Sequence, residues 1–170
     1  MDHELARSFF GAVAVGIGAT AIMDLWAATQ KRLFAVPSLD YRLVGRWIGH
    51  FPRGRFRHDG IGKVTPIAGE AAIGWAAHYI VGIVFAGLLI GIWPGWLRDP
   101  TLLPALIVGV GSIIAPFFVM QPGLGAGIAA SRTPKPWLSR FRSLVGHISF
   151  AIGLFVSGIL ISRLFDLAPI

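Results

Sequence analysis

Four long apolar runs, separated by short stretches that hold most of the charge, constrain this chain more than any other feature. A membrane-crossing helix needs about 20 mostly apolar residues. The runs fall at about 9–28, 67–93, 101–121 and 144–160. A membrane strand needs only about 9–11 residues, and every run continues well past that. The pattern predicts an all-α membrane protein, a four-transmembrane-helix bundle forming one domain over 1–170. Composition agrees: 55% of residues are hydrophobic and 14% charged, against about 25% charged in an ordinary soluble domain. The chain has no cysteine, which excludes disulfides, thiolate metal sites and cysteine nucleophiles. The first run lacks a strongly basic head and a clear small-x-small cleavage signal, so it reads as a retained span.

The formal charge is +7. On a soluble domain that excess would suggest nucleic acid. Here the basic residues sit in loops between apolar runs, where the positive-inside rule accounts for them, and no nucleic-acid partner is expected. Lys31, Arg32, Arg42, Arg46, Arg53, Arg55, Arg57 and Lys63 lie in the loop at about 31–66. Arg132, Lys135, Arg140 and Arg142 lie in the loop at about 122–142, leaving only Arg7, Arg98 and Arg163 for the opposite side. Both basic loops are expected in the cytoplasm and both termini outside (N-out/C-out). Trp93 and Trp96 suit the outer interface, and Trp47 and Trp137 the inner one.

The first loop predicts a short interfacial helix. Ser38 or Asp40 can cap it, and Leu39, Leu43 and Trp47 share a face at i, i+4, i+8. Arg42 and Arg46 flank that face, followed by the basic, aromatic-interleaved turn Arg53, Arg55, Phe56, Arg57 and His58. Arg42, Arg46, Arg53, Arg55, Arg57 and His58 are candidates for contact with anionic lipid phosphates. In the third run Pro116 is interior and predicts a kink. Beyond Gln121, the Gly- and Pro-rich stretch is expected to form a short interfacial helix or broken backbone lined by protein.

Ionisable groups inside a span are expensive, and each is a functional hypothesis. Asp24 lies roughly 6 Å inside the first run, and His78 roughly 12 Å beyond Glu70 in the second, at about 1.5 Å per residue. With Gln121 and His147 they converge on the cytoplasmic half, and Arg132 stands beside them in the second loop. Gly74 and Gly82 flank His78 and open a groove beside its ring. His78 and His147 could serve as axial ligands to a haem. His78, His147, Asp24 and Glu70 are chemically suited to a divalent metal, without a supporting local motif. Each residue also has a bland reading: a boundary ion pair for Asp24, a helix-start acid for Glu70, an interhelical hydrogen bond for either histidine.

The stretches Gly18–Trp26, Pro37–Tyr41, Gly45–Trp47 and Gly54–His58 continue through Glu70 and Gly74–Tyr79, then Pro116–Pro122, Ala129–Pro134 and Ser143–His147. Together they resemble the bacterial membrane-protein family known as domain of unknown function 2938 (DUF2938). The resemblance covers nearly the whole chain and implies a small multi-spanning inner-membrane protein. It implies no substrate or reaction. Its matching positions include Asp24, Glu70, His78, Gln121, Arg132 and His147.

Three function classes stay open. The polar cluster lines a cavity that binds or translocates a small molecule or ion; or it holds a haem or metal in a redox protein or enzyme; or it fixes helices in a structural or accessory subunit. The first class also predicts a homo-oligomer, because four helices alone form a thin pore.

Overall fold

The computed structural model describes residues 2–167. Its helices are α1 (Asp2–Phe34), α2 (Tyr41–Ile48), α3 (Glu70–Ile92), α4 (Leu102–Gly111), α5 (Gln121–Leu124) and α6 (Pro136–Leu167). Among the described residues four helical stretches are long and apolar enough to cross a membrane: Glu4–Phe34, Glu70–Ile92, Leu102–Leu124 and Pro136–Leu164. They contain the four expected runs almost entirely, and extend the first and last into charged sequence. Lys31 and Arg32 occupy the last turn of α1, where cations suit the carbonyl end of the helix.

α1 packs on both α3 and α6, and α4 packs on α6. Their shared core includes Val15, Ala19, Ala86, Leu89, Phe150 and Leu154. Gly16 lies against the backbone of Ile83, and Gly109 against Ala151, so the small residues serve close helix approach. At the short-loop end Trp96 is buried rather than spread at an interface, its Nε1–H donating to the Thr101 carbonyl at 2.9 Å. Arg98 pairs with Glu4 there.

The third span breaks where Pro116 predicts it. α4 ends at Gly111, a π-helical turn follows over Pro116–Met120, and α5 completes the crossing. Proline supplies no N–H, so the Ser112 carbonyl accepts instead from Ala115 at 3.1 Å.

α2 is the expected loop helix, capped by Asp40, whose side chain accepts from the Arg42 N–H at 3.0 Å. Its buried face differs from the expected one: it carries Val44, Gly45, Arg46 and Trp47. α2 docks on α3 through two glycines. A Cβ on Gly45 would overlap the Glu70 carbonyl, and one on Gly74 the Tyr41 carbonyl. The two glycines beside His78 serve close packing, Gly74 on α2 and Gly82 on Thr20 of α1.

Candidate functional site

The polar residues converge on the long-loop end of the bundle, but they form separate groups. Asp24 of α1 accepts on both carboxylate oxygens. His78 Nε2 lies 3.0 Å from Oδ1, and the Tyr79 hydroxyl donates to Oδ2 at 3.1 Å. The Tyr41 hydroxyl lies 3.0 Å from the same His78 Nε2, and the two rings stack at 4.3 Å. The chain has two tyrosines, and both join this one Asp–His pair. Burial, then the charge of Asp24, push the Tyr41 phenol well above its ordinary range, so it stays an O–H.

Glu70 belongs elsewhere. Arg46 grips it with two bonds, Nε to Oε2 at 2.8 Å and Nη2 to Oε1 at 2.9 Å. Arg46 Nη1 donates to the Val64 carbonyl at 2.8 Å, and the Ile67 N–H donates to Glu70 Oε2 at 3.1 Å. The hydrogen bond to Glu70 holds the Arg46 guanidinium even more firmly in its charged form. Arg46 is 8% exposed, so it ties the loop to α3 and does not reach lipid phosphate as expected. Trp47 is likewise taken inward, donating Nε1–H to the Phe56 carbonyl at 2.8 Å.

His147 of α6 pairs with Ser112 at the break in the third span. The Ser112 hydroxyl donates its single proton to the Gly109 carbonyl at 2.6 Å. Toward His147 Nδ1, 2.8 Å away, it can then only accept. This places a proton on Nδ1 and makes Nε2 of the neutral ring an acceptor. Among the described residues Gln121 joins none of these groups, and its buried Oε1 has no hydrogen-bond partner. Arg132 lies at a loop pocket with Arg57 and His58. Arg42, Arg53 and Arg55 are exposed.

His78 and His147 meet across a cavity of about 330 Å³. Its wall draws on all four spans and α2. Met23, Val44, Trp47, Phe85, Met120 and Phe150 supply apolar surface, while Tyr41, His78, Ser112 and His147 supply the polar points. Tyr41, Tyr79 and Ser112 were not among the sequence candidates. Scarcity was the available signal for the tyrosines, since the other aromatics are almost all Phe and Trp.

The proposed metal set does not assemble. Asp24 faces His78, Glu70 faces Arg46, and His147 faces Ser112. Among the described residues no three His, Cys, Asp or Glu side chains are placed to hold a metal ion. Haem ligation through both Nε2 atoms would break the bond from His78 to Asp24.

Fold and site define a small all-helical, multi-pass membrane protein with buried polar, hydrogen-bonded residues at one end of its bundle. The chain belongs to the bacterial membrane-protein family described as Protein of unknown function (DUF2938), whose model matches residues 13–161. No curated protein and no solved structure matches it.

Proposed function

We propose that the protein binds a small, mostly apolar molecule with a hydrogen-bonding head in the cavity between its spans. The observation that carries this reading is the cavity itself. Small-molecule sites are typically about 300–1,000 Å³, apolar, with a few convergent polar groups. A volume of about 330 Å³ with Tyr41, His78, Ser112 and His147 in a mostly apolar wall meets that description. His78 Nε2 sits between Asp24 Oδ1 and the Tyr41 hydroxyl, and the Tyr41 and His78 side chains line the cavity. His147 Nε2 offers an acceptor. A guest such as a phenol, apolar in body and polar at one end, complements both.

One copy of the chain supplies the residues that line the cavity. Both long loops lie in the cytoplasm of the inner membrane, as the distribution of basic residues supports. Exposed Arg42 and Arg53 stand where anionic headgroups would meet them.

Titration with 4-fluorophenol, followed by fluorine NMR of the detergent-solubilised protein, tests the reading. Saturable binding is expected, and Ala115→Phe, which fills the cavity from its wall, removes it while the protein stays folded. Binding that is absent, or unchanged in Ala115→Phe, overturns it.

A further inference from the structure

The two long loops, distant in sequence, meet to form a second pocket of about 260 Å³, walled by Arg57, His58, Asp59, Pro122, Gly127 and Arg132. Their backbones hold each other. The His58 N–H donates to the Gly123 carbonyl at 3.0 Å. Gly125, at φ +92°, lies so close to Gly60 N and the His58 carbonyl that no Cβ fits between them. On the far side Ala129 and Ala130 adopt φ of 46° and 60°, a region L-residues rarely use. Arg140 Nε–H holds the Ala129 carbonyl at 2.8 Å, and the Thr133 hydroxyl holds the Ala130 carbonyl at 2.8 Å. The Arg132 N–H closes this turn on the Ala126 carbonyl at 2.8 Å. Arg57 and Arg132 are thereby presented from two fixed loops to one space.

Among the described residues neither guanidinium has a carboxylate or carbonyl partner. Both nitrogens of His58, at the pocket wall, are buried and have no hydrogen-bond partner among the described residues. Buried polar groups are rarely left so, and a small adjustment of the ring would aim one at a guest. Two guanidinium forks and an imidazole suit a tetrahedral oxyanion, and Arg favours phosphate for its bidentate geometry. Asp59 leaves the guanidinium–carboxylate balance positive and offers an acceptor for a hydroxyl on the molecule bearing the phosphate.

We propose that this pocket is a specific phosphate-binding site, distinct from the diffuse attraction of a basic loop to an anionic surface. The source is a lipid headgroup or a free phosphate, and the arms of one experiment separate them. The detergent-solubilised full chain is titrated at constant ionic strength with dihexanoyl phosphatidylglycerol and, separately, with inorganic phosphate. Arg57→Gln, Arg132→Gln and Arg55→Gln are compared with wild type. Arg55 is exposed and is not part of the pocket wall. Saturable binding is expected for one of the two. Arg57→Gln and Arg132→Gln each weaken it on the order of tenfold, and Arg55→Gln changes it less than about twofold. Binding of the lipid alone assigns a headgroup, and binding of phosphate alone a free anion. Two outcomes overturn the proposal: no saturable binding of either molecule, or equal loss in Arg55→Gln, which would mark diffuse charge. All three arginines are exposed, so a matching melting temperature certifies each variant as folded.

Discussion

Asp24 takes a donor on each carboxylate oxygen, and the two donors do different things. His78 Nε2 reaches Oδ1 from the cavity wall, whereas Tyr79 reaches Oδ2 and is not part of that wall. Removing the Tyr79 hydroxyl therefore separates stability from binding. Tyr79→Phe is expected to destabilise the protein by about 0.6–2 kcal/mol, the range for interhelical polar contacts in membranes. Denaturant unfolding in mild detergent reads that loss. The same variant keeps its affinity for 4-fluorophenol within about twofold, and lost binding would show that the network and the cavity are one device. The ionisable members of this network were legible in the sequence, because charge inside an apolar run stands out. Their partners were not: Tyr79 carries no charge and costs little in a span, and Tyr41 arrives from the loop helix α2.

At the scale of elements, α2 decides the architecture of the long-loop end. It closes the cavity with Tyr41, Val44, Trp47 and Ile48, and anchors the loop by Arg46 on Glu70. A short helix capped by Ser38 or Asp40 was readable from residue types, and Asp40 is the cap. The direction of its buried face was not, because an amphipathic stripe packs equally well on lipid or on another helix. Gly45 and Gly74 held the missing information, since two glycines that meet allow backbones to touch. Gly74→Ala would drive its methyl group into the Tyr41 carbonyl. Overpacking of this kind costs about 1–3 kcal/mol, and here it lifts α2 from α3. The expected result is faster proteolysis of the first loop together with weakened 4-fluorophenol binding. A variant with wild-type proteolysis and affinity would contradict the tight α2–α3 crossing.

Over the whole molecule, run length and hydropathy carried the four spans, and the interior proline carried the break in the third. The polar residues gather at the long-loop end of the bundle in separate groups. Arg46 was assigned to lipid and Glu70 to the histidines, yet they pair across 24 residues of sequence; composition cannot say which loop arginine folds inward. The absence of cysteine makes the topology simple to test. A membrane-impermeant maleimide should label Asp99→Cys in intact spheroplasts, and Arg55→Cys or Lys135→Cys only after lysis. The reverse pattern would invert the orientation.

The central claim is that a guest sits between the spans, and locating one tests it most directly. Crystals soaked in 4-bromophenol are expected to show an anomalous bromine peak inside the cavity bounded by Phe85, Met120 and Phe150. The phenol oxygen should lie within hydrogen-bonding distance of His147 Nε2 or Tyr41 Oη. Bromine found only on the lipid-facing surface, or side chains filling the space between His78 and His147, would contradict the account.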